Sequence, residues 1–130
     1  MTTSLKKEVM NKNPLVLAFL GDAVMTLHIR QALINQGSAA KISHLHTQAS
    51  KLVCAKAQAE HFDTVSQTFD TDEEDISRRS RNAQHNTVPK NCTLADYKKA
   101  TALEAVIGYN FLVGNLQRVQ FLCTLSKGDD

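Results

Sequence analysis

Two acidic residues lie inside the most apolar helical stretches of the sequence, where a charge is costly. Asp22 lies within LVLAFLGDAVM, residues 15–25, and Glu104 lies within ALEAVIG, residues 102–108. Residues three, four and seven positions apart share one face of a helix, so each acid is predicted to lie on an apolar stripe. Because burying an unpaired charge is strongly unfavourable, each carboxyl group must be paired, protonated or bound to a cation.

A glycine accompanies each acid, since Gly21 precedes Asp22 and Gly108 lies one turn after Glu104. Glycine inside a helix costs about 1 kcal/mol relative to alanine, so it often marks the close approach of another backbone or of a ligand. We therefore predict that the two helices pack together and that their carboxylates converge. Neither stripe carries a cationic partner, and a divalent cation between oxygen ligands, Mg²⁺ or Mn²⁺, would relieve the repulsion. The alternative is a structural Asp22 that is bonded to a neighbouring hydroxyl or helix cap.

The composition is that of one modest globular domain. The chain has 130 residues, 42% of them apolar, and a formal net charge of +2. No uninterrupted apolar run reaches the length of a membrane span, and the first ten residues lack the apolar core of a signal peptide, so we expect no membrane partner. The three cysteines are widely spaced and form no Cys-x-x-Cys pattern. This favours reduced thiols and a cytoplasmic protein.

The apolar residues recur at helical spacing without an alternating strand pattern, so we predict an all-α fold. The predicted caps are Asn13, Thr71 and Thr93. The predicted helices cover residues 14–35, 39–62, 71–82, 94–113 and 116–125. Together they form a single domain, residues 13–125, between an N-terminal tail of residues 1–12 and a disordered C-terminal tail of residues 126–130. The five phenylalanines are predicted to lie in the core.

The charge changes sign along the chain. Seven carboxylates and no Lys or Arg lie between Glu60 and Asp75, whereas six basic residues lie between Arg78 and Lys99 against the single acid Asp96. A local basic segment suits a polyanion such as a nucleic acid. The alternative is a solvated surface whose cations balance the nearby acids.

Several segments resemble the ribonuclease III family, whose members cut double-stranded RNA. The segment FLGDAV, residues 19–24, resembles the core of the family's signature motif, and ALEAVIG, residues 102–108, is similar to its second acidic motif. Residues 81–83 and 97–104, a chain of this length and the expected lack of a double-stranded-RNA-binding domain resemble the Mini-III subgroup. The resemblance implies a helical bundle like the ribonuclease III endonuclease domain, which acts as a homodimer on double-stranded RNA.

The same resemblance implies the residues of the active site. Asp22 and Glu104 match the catalytic acids that hold Mg²⁺, for which Mn²⁺ is a possible substitute. Ala18 stands where the signature motif carries Glu, and Thr101 stands where the second motif carries Asp. The Mini-III subgroup shares both losses, so two carboxylates and more water-mediated ligation are expected at each site. The implied reaction is phosphodiester hydrolysis that leaves a 5′-phosphate, in the maturation of the large-subunit (23S) ribosomal RNA precursor.

The basic segment supplies the candidate RNA contacts. Proteins contact A-form RNA mainly through phosphates and 2′-hydroxyls, for which arginine and amide side chains are suitable donors. The predicted RNA-binding residues are Arg78, Arg79, Arg81, Asn82 and His85. The alternative function is a non-catalytic dimeric module that binds double-stranded RNA. A plain helical scaffold would leave both acids on apolar stripes unexplained.

Overall fold

The computed structural model describes residues 3–37, 41–85 and 88–125, and these residues form helices without a β-strand. The predicted all-α fold is therefore confirmed for this part of the chain. The helices are α1 (Thr3–Met10), α2 (Pro14–Asn35), α3 (Ile42–Val53), α4 (Ala55–Val65), α5 (Thr71–Asn82), α6 (Leu94–Leu112) and α7 (Leu116–Cys123). A short 3₁₀ helix, Ser66–Thr68, follows α4.

The two longest helices, α2 and α6, form the most extensive helix pair, and α4 and α5 also pack against α6. The largest side chains of the core come from these elements and from α7, and they include Leu17, Met25, Ile76, Leu103, Ile107 and Leu122. By length and composition alone, α2 is long and apolar enough to cross a membrane, whereas the sequence analysis found no apolar run of that length. A core helix has the same properties, and seven of its residues are buried.

The backbones of α2 and α6 touch at two glycines. A Cβ atom on Gly21 would lie 1.7 Å from the carbonyl oxygen of Glu104, and one on Gly108 would lie 2.0 Å from the carbonyl oxygen of Leu17. Both distances are far below van der Waals contact, and the atoms opposite belong to the backbone and cannot rotate away. Only glycine fits at these two positions, because any side chain would separate the helices.

Side-chain caps mark the starts of α2, α5 and α6. The Asn13 side chain accepts a hydrogen bond from the Leu15 N–H at 2.9 Å, which confirms the predicted start of α2. For α5 the predicted cap, Thr71, is wrong by one residue. Asp70 accepts a hydrogen bond from the Glu73 N–H at 2.8 Å, and the Glu73 carboxylate accepts one from the Asp70 N–H at 3.0 Å. Aspartate is a strong N-cap, and this reciprocal pair forms a capping box.

α6 begins after its predicted cap, because the Thr93 hydroxyl accepts a hydrogen bond from the Asp96 N–H at 3.1 Å. It ends at Leu112, before Gly114, whose φ of 82° is one that other residues rarely adopt. The last helix ends at Cys123, two residues earlier than predicted. The predicted disordered tail, residues 126–130, lies outside the described residues.

Two further boundaries differ from the prediction. The continuous helix over 39–62 is wrong, because the chain is extended at Cys54 (ψ 155°) and divides into α3 and α4. Apolar periodicity continues across this break, so the sequence pattern does not reveal it. The predicted start at residue 39 lies outside the described residues. The segment predicted as an N-terminal tail contains α1, whose Val9 is buried in the core.

The prediction that all five phenylalanines lie in the core is also wrong. Phe62 is buried and contacts Phe69 edge to face, with 5.9 Å between the ring centroids. Phe19, Phe111 and Phe121 are exposed, and Phe19 most of all, with 83% of its surface accessible. An apolar side chain on a helix that is apolar all round can therefore point away from the core.

We expect Gly108→Ala to destabilise the fold although alanine is the better helix former. In an open helix this change would stabilise the protein by up to ~1 kcal/mol. Here the added methyl group meets the Leu17 carbonyl, so we expect a loss of about 3 kcal/mol or more in the free energy of unfolding. Urea denaturation followed by circular dichroism measures it.

The matched control is Gly37→Ala, which adds the same methyl group in open space at a glycine with φ of 73°. It should cost only about 1 kcal/mol, the penalty of a left-handed conformation. Equal losses for the two variants would contradict the close approach of the helices.

Candidate active site

Asp22 on α2 and Glu104 on α6 meet at the contact between the two helices. Their carboxyl groups are hydrogen-bonded to each other, and the Glu104 carbonyl lies against Gly21. Both side chains line a concave pocket of about 330 Å³. The remaining residues around this pocket are Leu15, Ala18, Phe19, Gln84, His85, Tyr97 and Thr101.

The two acids differ in exposure, which corrects the prediction that both are buried. Ala18, Met25 and Ile29 of the predicted Asp22 stripe are buried, but Asp22 itself is exposed. It lies at the edge of the stripe, where α2 borders the open pocket. Glu104 is partly buried. The unfavourable desolvation therefore falls mainly on one of the two carboxyl groups.

Burial raises the pKa of Glu104 to about 8, and the negative charge and hydrogen bond of Asp22 act in the same direction. A hydrogen bond from Gln58 acts in the opposite direction. Near neutral pH Glu104 of the metal-free protein is therefore mostly protonated. A cation that binds between the carboxylates would take the place of this proton, because metal ligands must be deprotonated.

The other two positions of the site are neutral. Ala18 is buried, and the hydroxyl of buried Thr101 donates a hydrogen bond to the Tyr97 carbonyl oxygen at 2.9 Å within α6. Across the described ranges no group of three or more His, Cys, Asp or Glu side chains could hold a metal ion. The protein ligands available to a cation are thus the two acids. This oxygen-only set suits Mg²⁺, which commonly takes one or two carboxylates and keeps several waters.

The predicted RNA-binding residues fall into two groups. His85 reaches the pocket, where its ring packs edge-on against Tyr97 with 5.3 Å between centroids, and its Nε2 lies 3.2 Å from the Ser80 carbonyl oxygen. Asn82 is exposed at the end of α5. The three arginines lie on α5 and do not line the pocket.

Each of these arginines contacts an acid of its own helix. Arg78 and Arg79 both pair with Asp75, and Arg79 also donates to the Met10 carbonyl oxygen at 2.7 Å. Arg81 lies 3.4 Å from Glu74, with its guanidinium 5.8 Å from the Phe62 ring centroid. This arrangement agrees with the alternative given above, in which the cations balance the nearby acids. Their role in RNA binding stays a prediction.

Three residues around the acids, Tyr97, Gln84 and Gln58, are not among the predicted site residues, although Tyr97 belongs to the segment that resembles the Mini-III subgroup. Tyr97 lies one turn before Thr101 and two turns before Glu104, so helical spacing alone would place it on the pocket face. Gln84 lines the pocket beside His85. Gln58 contacts Glu104 from α4, and no local pattern could indicate it, because the contact joins helices far apart in sequence.

The fold and the paired acids define a class of enzyme. Residues 15–115 match the family model of the ribonuclease III domain, and the chain therefore belongs to the ribonuclease III family. It is thus a ribonuclease III-type nuclease, of a family that acts on RNA and generally depends on divalent metal ions.

The chain is similar to Mini-ribonuclease 3 proteins over most of its length, which confirms the resemblance seen in the sequence. The chain is 40% identical over 121 residues to Mini-ribonuclease 3 of Thermoanaerobacter sp., covering 93% of this chain and 84% of that protein. It is 44% identical over 107 residues to that of Brevibacillus brevis, covering 82% and 79%. A crystal structure of a protein from Fusobacterium nucleatum has a TM-score of 0.80 and 32% identity, covering 87% of this chain and 89% of that chain.

We expect the stability of the metal-free protein to fall as the pH rises from about 4.5 to about 8. In the folded protein Glu104 keeps its proton up to about pH 8. In the unfolded chain it loses the proton near its usual pKa of 4.5. In this window the unfolded state binds fewer protons, so the free energy of unfolding decreases by at most ~1.4 kcal/mol per pH unit. Urea denaturation in the presence of a chelator measures this slope.

The control is Glu104→Gln, which keeps the shape of the side chain and removes its titration. Burial lowers the pKa of His61, which gives an opposite slope below about pH 6.5, but this effect is common to both proteins. The difference between them therefore isolates Glu104. Parallel curves for the wild type and Glu104→Gln would refute the raised pKa of Glu104.

Proposed function

We propose that this protein is an Mg²⁺-dependent endoribonuclease that cleaves double-stranded RNA and leaves 5′-phosphate and 3′-hydroxyl ends. The observation that carries the proposal is the pairing of the Asp22 and Glu104 carboxyl groups at an open pocket. A structural acid in such a position would be paired with a cationic side chain. No Lys or Arg lines this pocket among the described residues, so the paired acids are available to a metal ion.

Asp22 and Glu104 would hold the ion. When bound, Mg²⁺ lowers the pKa of a water molecule and stabilises the charge that develops on the phosphate. The chain's own part is to fix the ligands: the glycine contact sets the spacing of the helices, and Glu104 releases its proton. Asp22, being exposed, faces the side from which a phosphate can approach. Neither acid is free to act as a separate general base, so we assign none.

The RNA contacts we propose begin at the edge of the pocket. His85 and Gln84 line it and can donate hydrogen bonds to phosphate or 2′-hydroxyl oxygens, and Asn82 is exposed nearby along the chain. The α5 helix would add positive charge that attracts phosphate, through Arg78, Arg79 and Arg81. To bind a phosphate, each arginine would replace its exposed carboxylate partner with a phosphate group. Exposed ion pairs of this kind contribute about 1 kcal/mol or less, so phosphate can compete with them.

We further propose a homodimer that forms through the outer face of α2. Val16, Phe19, Leu27 and Ile34 lie along this face and expose 57%, 83%, 63% and 66% of their surfaces. Such a contiguous apolar stripe is typical of a protein interface. Phe19 also lines the pocket, so a second subunit on this face would lie beside the metal site.

The biological role we propose is maturation of the 23S ribosomal RNA precursor in the cytoplasm. The likeness to Mini-ribonuclease 3 proteins supports the RNA substrate, and the free thiols of Cys54, Cys92 and Cys123 suit a reducing compartment. A second candidate, a non-catalytic module that binds double-stranded RNA, is favoured by the neutral residues Ala18 and Thr101. The retained acid pair favours the enzyme.

We expect the protein to cut a long RNA duplex in the presence of Mg²⁺ and Asp22→Asn to reduce the rate at least ~100-fold, since a metal ligand is lost. Gel electrophoresis of end-labelled duplex measures cutting and product ends. The control is Asp63→Asn, which alters an exposed acid paired with Lys99 outside the pocket and should cut normally. Duplex binding without cutting by the wild type would establish the binding module, and equal cutting by Asp22→Asn would exclude Asp22.

We expect Leu27→Asp to convert the protein from dimer to monomer, because it places an unpaired charge within the apolar stripe. Sedimentation velocity measures the change. The matched control is Leu116→Asp, since Leu116 on α7 is equally exposed (60%) but lies away from the stripe. A dimer that survives Leu27→Asp, or a wild-type monomer at micromolar concentration, would contradict this interface.

A further inference from the structure

Gln58 is a buried polar residue directed at the catalytic acids from a third helix. It lies on α4, which packs against α6, and only 3% of its surface is accessible. The Gln58 side chain lies beside Glu104, and its hydrogen-bonding effect lowers the pKa of that carboxyl group. Neither the sequence motifs nor the pocket lining includes Gln58, so it belongs to a second layer of residues behind the acids.

The orientation of the Gln58 amide is fixed by the backbone. Its Nε2 donates a hydrogen bond of 3.0 Å to the carbonyl oxygen of Val53, the last residue of α3. A carbonyl oxygen can only accept, so this end of the amide must be the nitrogen. The second N–H of Nε2 is then the group that can donate to Glu104. The break between α3 and α4 at Cys54 thus leaves a free carbonyl that anchors this side chain.

The other end of the amide has no partner. Gln58 Oε1 is buried and accepts no hydrogen bond from the described residues. Leaving a buried acceptor unsatisfied is unfavourable, because its desolvation is not compensated. Packing alone would be served better by Met or Leu, which fill the same space without this cost. An amide at this position therefore indicates a requirement for hydrogen bonds beside Glu104.

We propose that Gln58 is a positioning residue of the metal site: anchored on the Val53 carbonyl, it orients the Glu104 carboxylate toward the cation. The proposal rests on the proposed function, because it assumes that Glu104 binds a divalent ion. Partners behind the ligands commonly determine metal affinity. Their effect is larger where the protein supplies only two carboxylates and water completes the coordination.

The test compares Gln58→Met with Gln48→Met. Gln48 lies on α3, is partly buried and also has an unpartnered amide oxygen, but it is not among the groups that act on Glu104. Mn²⁺ binding to the RNA-free protein is measured by electron paramagnetic resonance, and the Mg²⁺ concentration for half-maximal RNA cleavage is measured separately. We expect both values to rise about 10-fold in Gln58→Met and to stay unchanged in Gln48→Met. Saturating Mg²⁺ should restore most of the cleavage rate of Gln58→Met.

A folded Gln58→Met protein with wild-type Mn²⁺ affinity would overturn the proposal, even if its thermal stability changed. If Gln58→Met does not fold, Gln58→Asn replaces it, because a side chain shorter by one methylene cannot reach both Val53 and Glu104. Unchanged Mn²⁺ affinity in Gln58→Asn would overturn the proposal equally. A wild type that binds Mn²⁺ but does not cut RNA would contradict only the proposed function. A wild type that does not bind Mn²⁺ would contradict both.

Discussion

The backbone contact between α2 and α6 is the constraint on which the rest of the structure depends. At Gly21 and Gly108 the two helices approach so closely that a methyl group on either would overlap a carbonyl oxygen of the other helix. This contact packs the two longest helices into one core and brings Asp22 and Glu104 within hydrogen-bonding distance. The stability of the fold and the geometry of the site therefore depend on the same contact. A substitution of either glycine would change both.

Two glutamates of the described residues, Glu73 and Glu104, are buried or partly buried, and their surroundings show what is unusual about Glu104. Burial alone would raise the pKa of Glu73, but hydrogen bonds from Arg118, the Asp70 N–H and Asn110 hold it below the usual value. Arg118 binds it with two nitrogens at 2.8 and 2.9 Å. Glu73 is thus a satisfied structural anion. Glu104 faces another carboxyl group and one amide, an arrangement that leaves room for a cation.

The sequence predicted the parts of the fold that depend on local chemistry. The starts of α2 and α6 could be predicted because Asn13 and Thr93 accept hydrogen bonds from nearby backbone N–H groups. The close contact of the two helices at Gly21 and Gly108 could be predicted from the cost of glycine inside a helix. The break at Cys54 and the docking of Val9 were not predicted, because they depend on packing between distant segments.

The same distinction holds within the site. Both acids could be identified from one-dimensional spacing, since each stands alone on an apolar stripe. The exposure of Asp22 could not be predicted. Helical spacing assigns a residue to one face of the helix but does not show where the buried part of that face gives way to solvent. Gln58 is the extreme case: its relation to Glu104 exists only after α4 has packed on α6, and nothing in its neighbours along the chain signals it.

α2 connects the site to the surface of the molecule. One face of this helix is buried against α6 at Leu17 and Met25, and the opposite face exposes an apolar stripe that includes Phe19 and Leu27. This second apolar face is the surface that we propose for the dimer interface. Asp22 lies at the boundary between the two, and Phe19 belongs to both the stripe and the pocket. Covering the stripe would therefore exclude water from one wall of the pocket and strengthen the electrostatic interactions of the acids with a bound cation. In the proposed dimer, assembly and metal binding would both depend on this one helix.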